Sequence, residues 1–500
     1  MRVCAHHKSP LGARRSSVLI IVLWIAFGLV SLALYFANSM NFELRASDNR
    51  VCAQAADQAI EGAARYLNYL LTQQIANGSN GVFLSLGDSL CRAVPVGDAH
   101  YWLIGRDTNT PVGPGRMYFG LVDEASKLNL NMAAGGPSAT LAAAVSNQLI
   151  WLPRMTVDLT QAILDWVNTN GTGPTVTYYA MQQPSYQCKC EPFETVEELR
   201  LLYGADMDTL VGEDVNRNGI LDPNENDDNQ NGMLDPGILE YVTVYSREPG
   251  SNLVNVASVS SSSTQLISLL QTNLGTSRAE QILNALGIMT TGGASRGGGG
   301  GGTGGGASAG GGGGGGATTG SGGATATRTG GAATASFTSP LQFFVKSGMT
   351  ATEFAQVGTN LTTTSGSYIN GRVNVNTASA AVLACLLAGD TGAAQQLVSY
   401  RQANPNNLTS IAWVIDALGQ SYPDDLTALE AGDFLTTQSY QFTADIAALG
   451  PYGRGYRRVK FVFDTSSGTS QIVYRQDLTH LGWALGKEVR QNLLLAKETR

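Results

Sequence analysis

The most pronounced hydrophobic pattern lies near the N-terminus. Val18 to Ala37, VLIIVLWIAFGLVSLALYFA, is twenty residues without a charge. As a helix rising about 1.5 Å per residue it spans a bilayer core of about 30 Å. Arg2, Lys8, Arg14 and Arg15 precede it with no acid among them, which predicts a short cytoplasmic tail and a bulk on the other side of the membrane. The apolar run exceeds the core of a cleavable secretory signal, and no small-x-small site follows promptly. The next stretch is polar but rich in Ala, Leu and Gln, with Gly62 its one interruption. Ala53, Ala56, Ile60, Ala64, Leu67 and Leu70 fall near one helical face. One helix of about fifty residues is predicted, apolar first and amphipathic second.

Beyond this stem the periods shorten and mix. VFLSL, YWLI and GRMYFGLVDE within 81–124 read as strands of a modest sheet. LAAAVSNQLI and TVDLTQAILDWVN carry helical spacing, the second ending at NTNGTG with an Asn/Gly cap. PFETVEELRLLYG predicts a helix capped by Thr195, with Glu197 and Glu198 in its first turn and a stop at Gly204. Residues 263–288 give a further helical passage. From about Thr291 to Gly331 the chain is nearly all Gly, Ala, Ser and Thr, which has nothing to bury against the entropy of ordering and predicts a flexible insert. NGRVNVNTASAAVLACLL then predicts a short strand entering a helix, TSIAWVIDALG and DDLTALEAGDFL further helices, and YRRVKFVFDTSSGTSQIVYRQDL a hairpin around DTSSG. The fold class is α+β.

Charge and composition narrow the function. Charged residues are 14% of the chain and the net charge is -8, so no basic surface for nucleic acid is expected. Six cysteines scattered over 500 residues do not make a disulfide framework. Cys188 and Cys190 are too close for a zinc knuckle; a disulfide using one of them stays open, as does its absence. The four histidines, His6, His7, His100 and His480, show no metal spacing, and no nucleophile elbow, zinc-protease, Walker or dinucleotide motif occurs. Catalysis is not expected.

One segment does carry chemistry. In GEDVNRNGILDPNENDDNQNGMLDPG, residues 212–237, Asp214, Asn216 and Asn218 alternate, Gly219 and Ile220 follow, and Asp222 and Glu225 complete a twelve-residue calcium-loop pattern. Side-chain oxygens at positions 1, 3 and 5 converge as the loop curls, Gly at 6 permits the turn, the carbonyl of Ile220 contributes at 7, and a carboxylate at 12 closes the shell. Hard oxygens favour Ca²⁺ over softer metals. A second copy runs Asp227, Asn229, Asn231, Gly232 and Asp235, but position 12 is Ile238. Glu240 lies two residues further on; the copy is either degenerate or shares ligands such as Asp228 with the first. Pro223 and Pro236 interrupt the flanks, so a calcium-stabilised loop is expected and not a helix-opening sensor.

With these features in order, the chain resembles general secretion pathway protein K, the large minor pseudopilin of type II secretion systems. RRSSVLIIVLW resembles the junction cut by prepilin peptidase, which implies a cut between Ser16 and Ser17, with Ser16 standing where Gly is usual and Ile21 where ordinary pilins carry Glu. Asp123, Glu124, Lys127, Leu128, Asn129, Leu130 and Asn131 resemble the family's D-E-x-x-[RK]-L-N-L-N segment. Asp165 and Trp166 resemble its I-x-D-W element, with Asn168 and Asn170 in place of the usual acids. Pro192, Phe193, Glu197, Glu198 and Leu199 resemble its P-F and E-E-L segment, and Val373, Asn374, Val375, Asn376, Thr377 and Ala378 its V-N-V-N-T-A block. Read without the resemblance, these Asn-rich segments are turn and helix-start devices.

The resemblance implies a leader at 1–16, a transmembrane and amphipathic stem at 17–75, and a pilin-like portion from 76–130 and 440–500. It implies a large helical domain with helix-hairpin-helix-like elements, its first part at 131–290 with the calcium loop and its second at 335–439, separated by the Gly-rich insert at 291–334. The implied role is a non-enzymatic, methylated, single-pass inner-membrane subunit at the tip of a periplasmic pseudopilus. Its implied partners are other minor pseudopilins, the inner-membrane secretion platform, prepilin peptidase and secreted substrates. The competing expectation is a membrane-tethered, calcium-stabilised adhesion or binding protein.

Overall fold

The computed structural model describes residues 14–108, 117–134, 139–288 and 334–498. The leader up to residue 13 and most of the Gly-rich insert lie outside them. The stem is a single helix, Arg14–Ala76, of 63 residues. From Val18 to Val51 its side chains are exposed, and Val18–Ala76 is long and apolar enough to cross a membrane, with a mean hydropathy of 2.7 in its most apolar window. Burial begins abruptly at Cys52. Cys52, Ala56, Ala59, Ile60, Ala63, Leu67 and Leu71 are then buried at helical spacing, while Leu70, expected on that face, is only half-buried.

That face lies on a sheet ordered Val94–Val96, Ala99–Ile104, Gln441–Gly450, Arg454–Asp464, Gln471–Asp477, with Val122–Asp123 also pairing with the Gln441–Gly450 strand. The pairings are antiparallel. Ten consecutive buried residues in the central strand, QFTADIAALG, reflect cover on both faces. The stem covers one face through Ala444, Ile446 and Ala448; Ala484, Leu485 and Val489 near the C-terminus cover the other, against Trp102, Ile104 and Ala447. The stem approaches closely because Gly450 and Gly455 lie beneath it. A Cβ on Gly450 would stand 2.1 Å from the Cys52 carbonyl oxygen, and one on Gly455, at φ +68, 2.4 Å from the Ala53 nitrogen. Ion pairs from Arg454 to Asp48, Arg457 to Asp57 and Arg475 to Glu61 line the seam.

Between Val122–Asp123 and Gln441 the chain leaves the sheet and builds a helical head with its own core, which includes Trp166, Tyr179, Phe343, Phe354 and Trp413. The fold is thus a long apolar helix, a sheet and a large helical region, as the residue pattern predicts.

Three local expectations are corrected. VFLSL is not a strand: Phe83 and Leu84, adjacent in sequence, both pack on the stem-side core, whereas a strand would send them to opposite faces. The segment after Thr195 is a 3₁₀ helix, Val196–Leu201, because Val196, Leu199 and Leu202 bury at intervals of three, the 3₁₀ period. Residues 264–285 form two helices, Thr264–Leu274 and Thr276–Ala285, parted at Gly275, whose φ of +82 a helix interior does not accept.

Candidate functional site

Two features gather the residues singled out above: a polar seam between sheet and head, and the acidic double loop.

In the seam, the two Asn-x-Asn segments are the same device used twice. Leu128–Asn129 runs parallel to Val242–Thr243, and Val373–Asn374 parallel to Leu435–Thr436. Leu128 donates its N–H to Tyr241 O at 2.9 Å, and Val373 to Phe434 O at 2.7 Å. Asn129 Oδ1 accepts from Asn131 N at 2.8 Å, and Asn374 Oδ1 from Asn376 N at 2.9 Å. Their amides reach matching serines: Asn129 Nδ2 donates to Ser246 Oγ at 3.1 Å, Asn374 Nδ2 to Ser439 Oγ at 2.8 Å. Asn131 exchanges two bonds with the Phe193 backbone, and Asn376 accepts from Trp413 Nε1 at 3.0 Å. The sequence signal is a spaced repeat, [LV]-N-x-N followed far downstream by [VL]-T-x-x-S. Ser246 and Ser439 were not singled out above because each half looks unremarkable alone.

Asp123 and Glu124 join this lattice to the sheet. Asp123 Oδ2 accepts from Asn374 Nδ2 at 3.1 Å, Thr377 Oγ1 at 2.6 Å and Ser439 Oγ at 2.5 Å. Burial pushes its carboxyl up to about 6, against these bonds. Glu124 accepts from the Thr243 and Thr443 hydroxyls. Asp165 Oδ2 accepts both N and Oγ1 of Thr175 at 2.8 and 2.6 Å, and Trp166 packs on Tyr179 and Phe193. Cys188 and Cys190 are free thiols, and Cys188 donates to Asp165 O at 3.7 Å.

The double loop is pinched at its neck, where Gly212 bridges Pro236 and Gly237 N donates to Val211 O at 2.8 Å. A Cβ on Gly237 would stand 2.3 Å from the Leu210 carbonyl carbon, so glycine is required there. Inside, the two copies share one geometry. The carboxylate at position 1 accepts the N–H groups of positions 5 and 6: Asp214 from Asn218 and Gly219 at 2.9 and 2.8 Å, Asp227 from Asn231 and Gly232 at 3.1 and 2.8 Å. The position 5 amide oxygen accepts the N–H of position 7, Ile220 at 2.9 Å and Met233 at 2.6 Å. Asn216 and Asn218 donate to Asp222 Oδ2 at 2.7 and 2.9 Å; Asn229 and Asn231 donate to Asp235 Oδ2 at 2.5 and 3.4 Å.

Closure differs. Glu225 receives Asn216 N at 3.1 Å and Asp222 N at 2.9 Å. In the second copy Glu240 is held by Arg106 Nε at 2.7 Å, while Glu213 receives Asp228 N and Asp235 N, both at 2.8 Å. Glu213, which the linear pattern does not reveal because it precedes the first copy, therefore takes the closing place in the second. Asp228 itself lies 3.6 Å from Arg154.

Among the described residues no three His, Cys, Asp or Glu side chains converge tightly enough to hold a metal ion; the loop carboxylates are turned to backbone N–H groups or, for Asp222 and Asp235, to asparagine amides. The donor set nevertheless suits a hard cation. Asn216, 5% exposed, has its Oδ1 buried with no hydrogen-bond partner, in a loop whose other donors are carboxylate and amide oxygens. Burial raises the Asp214 and Glu225 carboxyls above their ordinary range, the Asp214 shift being opposed by Arg106.

Two family models match the chain, both described as type II secretion system (T2SS), protein K: one over residues 126–211, the other over 373–429. Each begins within a few residues of one of the two Asn-x-Asn strands. Over these two stretches the chain is similar to the protein K family of type II secretion systems. The N-terminal stem, Val18–Ala76, is long and apolar enough to serve as a single-pass membrane anchor. Among solved structures, a chain of the GspK-GspI-GspJ complex from the enterotoxigenic Escherichia coli type 2 secretion system is similar at 8% identity and a TM-score of 0.37, over 84% of this chain and 97% of that one. No curated protein sequence matches.

Proposed function

We propose that this chain is a protein K subunit that is anchored in the inner membrane and caps the tip of a periplasmic pseudopilus, where it binds other minor pseudopilins and supports export through the inner-membrane platform. The observation that carries this reading is the insertion of the helical head between Asp123 and Gln441, at the end of the exposed apolar stem. The stem can pack among other stems below Cys52, but a head of this bulk has no room beneath a further subunit. On this reading prepilin peptidase cuts between Ser16 and Ser17, in the stem helix near its start at Arg14.

The double loop supports the same role by stiffening the head. Asp214, Asn216, Asn218, the carbonyl of Ile220, Asp222 and Glu225 would hold one Ca²⁺. Asp227, Asn229, Asn231 and Asp235 would hold a second, closed by Glu213. The ion supplies positive charge that neutralises clustered carboxylates.

The test is the mature N-terminus of the chain purified from native membranes together with in-membrane cross-linking. A methylated Ser17 and cross-links from the stem to small pseudopilins are expected. An intact Met1 with no such cross-link would overturn the tip assignment and leave a tethered, calcium-stabilised binder.

A further inference from the structure

The first loop is anchored far from its own segment. Arg458, fully buried on the Arg454–Asp464 strand, holds Asp445 by two bonds at 2.9 and 2.6 Å and donates to Asn216 O at 2.5 Å and Arg217 O at 2.6 Å. Arg106, just past the Ala99–Ile104 strand, donates to Arg217 O at 3.0 Å. Backbone carbonyls of the loop are thus fixed to the sheet. Its side-chain amides point elsewhere. Asn216 Nδ2, which donates to Asp222 Oδ2, also donates to Trp483 O at 3.2 Å. Asn218 Nδ2 likewise divides itself between Asp222 Oδ2 and Ala484 O at 3.2 Å. Ile220 Cδ1 stands 3.2 Å from where a Cβ on Gly486 would be, so the loop also packs against the start of the Gly486–Glu498 helix.

These contacts give the two amides a use that a carboxylate lacks. A carboxylate at positions 3 and 5 of a calcium loop gives a cation more charge than an amide does, yet both positions here are Asn. Only an amide offers an oxygen to the loop and a donor to a carbonyl outside it. In the second loop the matching Asn229 and Asn231 are solvent-exposed.

We propose that the first loop couples cation occupancy to docking of the C-terminal segment, with Asn216 and Asn218 as the positioning residues and Trp483–Val489 as the segment that responds. Each Nδ2 is shared between Asp222 and a backbone carbonyl. When Asp222 is committed to a dication, both donors are left to Trp483 and Ala484, and Ala484, Leu485 and Val489 are held on the sheet face formed by Trp102, Ile104 and Ala447. Without it the amides are divided and the segment is looser. This rests on the calcium reading of the first loop.

Hydrogen exchange by mass spectrometry on the full chain in mild detergent, in millimolar CaCl₂ against EGTA, tests it, with calcium binding measured in parallel by equilibrium dialysis. Calcium is expected to slow exchange of amides 484–492 about tenfold, the effect of roughly 1.4 kcal/mol distributed over two hydrogen bonds. The Asn216→Asp/Asn218→Asp double variant removes both amide donors; compared at the calcium concentration at which dialysis shows it saturated, it is expected to lose that response. Slowing confined to loop amides 214–225 would overturn the coupling and leave the calcium site standing. A response at 484–492 that persists in the double variant would overturn the role of the amides. No calcium bound by the unsubstituted chain would overturn the loop reading and the coupling together.

Discussion

Replacing Arg458 by Met tests how strongly the sheet and head depend on one another. Arg458 is 0% exposed and Asp445 6% exposed, so the substitution strands a buried carboxylate. Breaking a buried ion pair from one side costs about 3–5 kcal/mol. Asn216 O also loses its 2.5 Å donor, worth about 1–3 kcal/mol for a buried acceptor left unmade. Arg217 O keeps its bond from Arg106, so it adds little. The expected loss for Arg458→Met is about 4 kcal/mol or more. Adding Asp445→Leu removes the stranded charge and should recover most of the pair's share, leaving roughly 1–3 kcal/mol. The assay is equilibrium urea unfolding of the full chain in mild detergent, followed by tryptophan fluorescence, with all four members of the cycle compared. An Arg458→Met loss below about 1 kcal/mol, or a double variant whose loss is the sum of the singles, would refute the reasoning.

Other outcomes follow from the same geometry. Calcium at a hundredfold excess over its Kd should stabilise the head by about 2.7 kcal/mol, and Glu225→Gln should weaken binding in calorimetry while leaving the stem helix intact by circular dichroism. Asp123, with its carboxyl raised to about 6 by burial, binds its proton more tightly folded than unfolded. Its contribution therefore falls as pH rises from about 4 to about 6, by roughly 3 kcal/mol; the stability difference between the native chain and Asp123→Ala should slope in that window and be flat above pH 7. Glu197 runs the other way: partly buried, but held down to about 2 by Arg217 and Arg200, it stabilises above its ordinary range and loses that as pH falls toward 2, which a Glu197→Gln comparison over pH 2–5 would show. Gly455→Ala, at φ +68 and against the Ala53 nitrogen, should cost about 1–3 kcal/mol and loosen stem from sheet, read as faster exchange at residues 52–60.

Much of this was legible in the residues. The stem announces itself because lipid-facing and core-facing helix have different periods, and the boundary at Cys52 is where one gives way to the other. The curl of the first acidic loop was readable because its spacing is local. What stayed hidden was non-local. Glu213 closes a loop it does not belong to, Ser246 and Ser439 matter only through partners 117 and 65 positions away, and Arg458 reads as one basic residue in YRRVK. VFLSL misled because apolar residues in a strand-like run can face one core from a coil, and composition does not say whether a neighbouring strand is there to accept it.

The placement of the head inside the sheet also orders events in time. Thr443 meets Glu124 across 319 positions, and the Gln441–Gly450 strand, which sits between its neighbours, is made only after the whole head. During synthesis the Ala99–Ile104 strand and the stem's buried face must wait, uncovered, while more than 300 residues emerge; at about 5–20 residues per second that is tens of seconds. Sheet closure is then a late, high-contact-order step. The stem acquires its seat only once the head is present, so a chain truncated within the head would keep its anchor yet lack a finished pilin module.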